Sequence, residues 1–114
     1  MAEGYINLAP EDVSSKLTIS QGITADRKLV YIMDNVVNID IHISNTGIQN
    51  GTIIGTLDSS ILPICKRVLG NIADYGTGGA LNSTIWINKD TSAITYYGNT
   101  TTSQVLISVT YIRI

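Results

Sequence analysis

Val36-Val37-Asn38-Ile39-Asp40-Ile41-His42-Ile43-Ser44 alternates without a break. Val37, Ile39, Ile41 and Ile43 fall on one side, and Asn38, Asp40, His42 and Ser44 on the other. Successive side chains of a strand point to opposite faces, so this period of two predicts a half-buried β-strand with its polar face outward. Directly upstream, Lys28 to Met33 (K-L-V-Y-I-M) is a second β-rich run, and Asp34-Asn35 between the two is turn chemistry. A hairpin is expected there.

Working outward, Asn45-Thr46-Gly47 and Asn50-Gly51 interrupt the chain, and Thr52 to Leu57 reads as the next strand. Asp58-Ser59-Ser60 is a further turn, and Pro63 fits an extended or edge position. Leu69 to Gly79 reads as a loop with Asp74-Tyr75-Gly76-Thr77-Gly78-Gly79 at its tip. From Ser83 to Asn88, Ile85 and Ile87 alternate with Thr84, Trp86 and Asn88, and Lys89-Asp90-Thr91 turns the chain. Ala93 to Tyr97 then sets Ile94 and Tyr96 toward a core and Thr95 and Tyr97 away from it.

Gln104 to Ile114 is the longest strand candidate, with Val105, Ile107, Val109 and Tyr111 on one face. Its other face (Leu106, Ser108, Thr110, Ile112, Ile114) is apolar enough to be covered by a second sheet or a neighbouring subunit. A helix signal occurs at Pro10 to Leu17, where an acidic first turn follows a proline. About seven short strands parted by Gly, Asn and Thr turns predict an all-β fold. The expected architecture is an antiparallel β-sandwich or jelly-roll-like barrel over residues 17–114, preceded by an N-terminal arm or short helix over residues 1–16.

Composition removes several function classes. The 114 residues are 44 % hydrophobic with a net charge of −2, a globular rather than a disordered balance. Only 14 % are charged, well under the roughly 25 % of an average soluble domain. The basic residues are scattered, with no stripe to track a phosphate backbone, so nucleic acid is not an expected partner. Apolar runs are too short for a helical membrane span, and Met1-Ala2-Glu3-Gly4 does not open a signal peptide. A single cysteine, Cys65, and a single histidine, His42, leave no disulfide and no multi-histidine metal centre, and no cofactor is implied.

Catalysis finds no convincing set of residues. Asp40, His42 and Ser44 share a strand face, but alternate residues stand about 6.5–7 Å apart, too far for short side chains to form a hydrogen-bonded triad. Cys65 beside Lys66 and Arg67 has no base other than His42. Gly76-Thr77-Gly78-Gly79 lacks the Lys-Ser/Thr ending and following helix of a phosphate loop. The chain is not expected to be an enzyme.

Binding is better supplied. Saccharide recognition wants an aromatic plate for the apolar face of a pyranose, with carboxylates and amides for its hydroxyls. Tyr75, Trp86 and Tyr97 provide the plates, and Asp74, Asn88 and Asp90 the polar partners. These six are the candidate ligand-binding residues.

The order of motifs resembles the C-terminal head domain of bacteriophage tail fibres and baseplate receptor-binding proteins. The resemblance runs from about residue 14 to 114. It is carried by Arg27 to Ser44, by Gly51-Thr52-Ile53-Ile54-Gly55-Thr56-Leu57 with Pro63, by Ile85-Trp86-Ile87-Asn88 with its turn, and by Ser108-Val109-Thr110-Tyr111 near the end. Asp58 stands where a proline often follows the leucine, and Asp90-Thr91-Ser92 replaces an Asn-Gly turn.

The resemblance implies a homotrimer on the virion tail tip or baseplate, made in the host cytoplasm and acting at the host cell surface. It implies binding to surface polysaccharide or teichoic acid without catalysis. The alternatives are a structural tail or baseplate module that holds other virion proteins, and a monomeric carbohydrate-binding module.

Overall fold

In the computed structural model, which describes residues 9–79 and 81–114, the strands are β1 (Glu11–Asp12), β2 (Leu17–Ile19), β3 (Ala25–Met33), β4 (Val36–Ile43), β5 (Ile53–Leu57), β6 (Arg67–Asp74), β7 (Ser83–Asn88), β8 (Ala93–Gly98) and β9 (Val105–Ile112). They form one antiparallel nine-stranded sheet in the order β1-β3-β4-β9-β6-β7-β8-β5-β2, curled into a half-barrel. The all-β expectation holds, in a single sheet bent over its own core.

The hairpin read from the alternation lies within this sheet. β3 pairs with β4 from Lys28 opposite Ile41 to Met33 opposite Val36, and β4 pairs with β9 over its whole length. Asp34 turns the chain at φ 57°, a left-handed conformation that aspartate tolerates better than most residues. Val37, Ile39, Ile41 and Ile43 are buried, as are Val105, Ile107, Val109 and Tyr111 directly across from them. Ile85, Ile87, Ile94 and Tyr96 complete the core from the other half, so Tyr96 is a core residue as its phase predicts. The Tyr111 hydroxyl donates to the Ile61 carbonyl at 2.6 Å, which satisfies the buried phenol. Burial also raises its pKa.

Three expectations need correction. Residues 69–79 are not all loop: Arg67–Asp74 is a strand. Its first half, Arg67–Gly70, pairs with β7, and its second half, Asn71–Asp74, pairs with β9. Inward and outward positions still alternate through Ile72, but Leu69 on the outer face and Gly70 and Asn71 at the switch hide the pattern and mimic a turn. Second, Pro10 to Leu17 is not an α-helix. Glu11–Asp12 adds to the edge of β3, and Ser14–Lys16 makes one 3-10 turn. The Asp12 carboxylate accepts from the Ser14 amide at 2.9 Å and from its hydroxyl at 2.6 Å, a local bond that competes with helix. Val13 is buried in the core, so residues 11–16 belong to the sheet, while residues 1–8 of the expected arm, and the start of the chain tested for a signal peptide, lie outside the described residues. Third, of the two covers expected for the outer face of β9, no second sheet lies over it among the described residues, where Ser108, Thr110 and Ile112 are exposed; the alternative of a neighbouring subunit concerns the assembly.

Gly70 is required at the partner switch. A Cβ there would stand 2.4 Å from Val109 Cγ2, and valine has little χ1 freedom with which to yield. Gly70→Ala is therefore expected to cost about 1–3 kcal/mol by overpacking, seen as a lower denaturant midpoint at an unchanged slope. Parent-like stability in that variant would show that the bend accommodates a side chain.

Candidate functional site

The six candidate residues separate into two groups, with Asp90 outside both. The first group lies on the outer face of β6, β7 and β8. Ile85 and Ile87 point into the core, so Thr84, Trp86 and Asn88 between them point outward. Trp86 and Tyr97 rings meet with centroids 4.5 Å apart and planes tilted by 51°. The Arg67 guanidinium sits over the Trp86 ring, 4.2 Å from its centroid, a cation–π contact. Arg67 Nε also donates to Asn88 Oδ1 at 3.1 Å.

Register explains the grouping. Arg67 is directly opposite Asn88, Leu69 opposite Trp86, and Thr84 opposite Tyr97, so all of these side chains share one face. Thr95 faces the same way between Trp86 and Ile53, yet is only 6 % exposed. The result is an aromatic platform with a guanidinium and an amide beside it and an exposed leucine, Leu69, in the next strand. Sequence reasoning found Trp86, Asn88 and Tyr97 but missed Arg67, because its place depends on recognising β6 as a strand. Asp90 is exposed in the turn that follows Asn88.

The second group is built around the end of β6. Tyr75 stacks on His42 almost in parallel, with centroids 4.0 Å apart and an interplanar angle of 7°. The sequence pattern sets His42 outward with Asp40 and Ser44, which predicts an exposed side chain. It does face away from the core isoleucines, but the stack and its neighbours leave it buried, at 8 % exposure. His42 Nε2 lies 2.7 Å from Gln104 Oε1, and its Nδ1 is 3.9 Å from Asp26 Oδ2. Asp40 instead pairs with Arg27 at 3.0 Å, and Ser44 Oγ donates to the Thr24 carbonyl at 3.2 Å. Asp40, His42 and Ser44 therefore bond to three different partners.

Asp74 holds its own loop together. Its carboxylate accepts from the Ser103 hydroxyl and, at 2.9 Å, from the Thr77 amide. Those two bonds, the hydroxyl first, hold its carboxyl below the usual carboxylate range. Half-exposed Tyr75 is the member of this group open to a ligand, while Asp74 serves the glycine-rich loop. Cys65 is exposed. Among the described residues no cluster of histidine, cysteine and acidic side chains is arranged to hold a metal ion, and no helix is long and apolar enough to cross a membrane.

No protein-family model matches this chain, and no curated protein matches it. The functional reading therefore rests on its own residues.

Because the Asp74 pKa is lowered by folding, its contribution is present above the ordinary carboxylate pKa and is lost as pH falls through the depressed value. Amide exchange at Thr77 and Gly78 is thus expected to accelerate only once pH drops below the usual carboxylate range, beyond the change that acid itself imposes on exchange chemistry. Asp74→Asn should show the faster exchange already at neutral pH. Identical protection in variant and parent would remove Asp74 as the clamp of this loop.

Proposed function

We propose that this chain is the receptor-binding head of a phage tail fibre or baseplate protein, a homotrimer that grips host cell-surface polysaccharide or teichoic acid and catalyses nothing. The observation that carries the reading is the outward platform of Trp86 and Tyr97 flanked by Arg67 and Asn88. Ring faces take the apolar side of a pyranose, and the amide and guanidinium offer hydrogen bonds to hydroxyls. The guanidinium also suits a phosphate-bearing polymer such as teichoic acid. The order of strands and turns resembles the heads of that family, and threefold symmetry would multiply weak individual sites into firm attachment.

A second reading, a structural module that contacts other tail or baseplate proteins, is favoured by a different surface. Met33, Val36 and Ile112 lie in one cross-strand row on the outer face, and Ile64 and Ile114 nearby are more than half exposed. Exposed apolar groups gathered in one place mark protein contacts, and the same surface would also serve a trimer.

Purified protein bearing Trp86→Ala is expected to bind host cells about tenfold less or weaker still, since a buried aromatic anchor typically dominates such a contact. Tyr97→Ala should fall in the same direction. Normal adsorption of both variants would defeat the proposed platform. Adsorption by neither parent nor variant, with stoichiometric capture by another tail protein, would favour the structural module. Light scattering after size exclusion should give a particle three times the 12.3 kDa chain. A clean monomer would defeat the trimer and favour the lone carbohydrate-binding module.

A further inference from the structure

At the end of the half-barrel, where β7 begins and β8 ends, lies a cavity of about 260 Å³ that the aromatic platform does not include. Its floor is Tyr96, 2 % exposed, whose hydroxyl donates to the Asn99 carbonyl. Asn82 and Ser83 line one side, and the loop from Asn99 to Ser103 lines the other. Apart from Leu81, every lining side chain carries a hydroxyl or an amide, and none carries a charge.

The loop that forms this wall is fixed by bonds to other parts of the chain. The Thr101 amide donates to the Ile48 carbonyl at 2.9 Å, and the Gly47 amide donates to the Thr101 carbonyl at 2.7 Å. Thr101 Oγ1 accepts from the Ile48 amide at 2.9 Å in a buried setting. Ser103 donates to Asp74, the carboxylate that also orders the neighbouring loop. The polar wall is thus set before any ligand arrives, which lowers the ordering cost of binding.

We infer that this mouth is a binding site for one neutral saccharide ring, separate from the aromatic platform. Size, chemistry and charge each narrow the ligand. The cavity falls just below the roughly 300–1,000 Å³ of pockets for drug-sized ligands, so it suits a single ring rather than an extended chain. Tyr96, Thr101 and Ser103 are engaged within the chain, which leaves the Asn82 and Asn99 amides and the Ser83, Thr100 and Thr102 hydroxyls to donate to and accept from a polyhydroxylated ring. The Asp74 carboxylate behind Ser103 places negative charge at the wall and opposes a phosphate or a uronate.

Ser83 and Tyr96 alternate along their strands with Thr84 and Tyr97, so the mouth and the platform lie on opposite sides of the sheet. The inference rests on the saccharide-binding reading above and adds to it a site of different preference. An aromatic face with a cation takes charged polymer outside, and an uncharged cavity of mixed apolar and hydrogen-bonding surface takes one ring at the barrel end.

The test is a titration of isotope-labelled protein, followed by amide NMR, with methyl hexopyranosides and with glycerol phosphate as the anionic comparison. A neutral glycoside is expected to shift Ser83 and Thr100 to Ser103 saturably, and glycerol phosphate to leave them in place. Asn82→Ala with Asn99→Ala, both exposed positions, should weaken the binding about tenfold. Thr102→Val, also exposed, makes the same test with a single hydroxyl removed. Trp86→Ala should leave the titration unchanged. The site is overturned if no neutral glycoside moves these amides, if the shifts gather on Trp86 and Tyr97 instead, or if the variants bind like the parent. Cell adsorption that depends on Trp86 alongside a silent mouth would reject this site and keep the receptor-binding function. Saturable binding at the mouth without any cell adsorption would do the reverse.

Discussion

Arg67–Asp74 is where the sheet becomes a half-barrel. A strand that kept one register along its length would continue a gently twisted sheet and leave the isoleucines of β4 and β9 facing water. Here the first half of the strand hydrogen-bonds to β7 and the second half to β9, with Gly70 and Asn71 at the change. The two groups of strands turn toward each other about that point and close over a common core. At the opposite side, the end strand β2 comes beside the part of β3 that β1 does not cover. Lys28 Nζ bridges the seam by donating to the Leu17 carbonyl at 2.8 Å. A lysine in that position satisfies one open main-chain group and discourages pairing with another chain, a common protection of sheet edges.

The same bend sorts the surface. Residues on the first half of β6 join the face of β7, which brings Arg67 beside Trp86 and Asn88. Residues at its far end leave toward β9 and β4, which lays Tyr75 on His42 and ties Asp74 to Ser103. A single strand thus distributes the candidate residues between two places, although several are close in sequence. Trp86 and Tyr97 are neighbours because β7 and β8 are consecutive strands of a hairpin. Asp74 and Tyr75 are elsewhere because their strand has already changed partners.

How much of this was legible follows from which interactions are local. The buried faces of β4, β7, β8 and β9 follow from period-two alternation, since each strand repeats its core side chains at every second position. The outward direction of Trp86 and Tyr97 follows from the same phase. β6 was hidden because Gly70 and Asn71 carry turn chemistry for a reason that lies in Val109 and in the register of two other strands. Arg67 was hidden with it. The burial of His42 depends on Tyr75, a contact across more than thirty positions that no periodicity encodes. The missing helix at Pro10 has a local cause that could have been weighed. Asp12-Val13-Ser14 repeats the Asp-x-Ser spacing of Asp58-Ser59-Ser60, and in both the aspartate accepts from the serine amide and hydroxyl; Asp58 thereby caps the 3-10 turn Ser59–Ile61, whereas the turn Ser14–Lys16 begins at the bonded serine.

In a chain this poor in charge, most of the charged groups that form bonds serve turns and edges. Asp12, Asp58 and Asp74 are engaged by serine hydroxyls and main-chain amides, and all three have lowered pKa values for that reason. Arg27 is neutralised by Asp40, Lys16 donates to Ser60 and Lys28 closes the seam. These charges hold turns and edges in place. Among the described residues Arg67 contacts an aromatic ring and the neutral Asn88 amide, neither of which cancels its charge. A guanidinium has five N–H donors, and the Asn88 bond uses one. Stacked over the Trp86 ring, it loses conformational freedom before a ligand arrives, and it covers part of one face of that ring while keeping donors beside it. That combination of a fixed orientation, a positive charge and neighbouring aromatic rings is the physical ground on which the proposed site is put at the outer face of β6, β7 and β8.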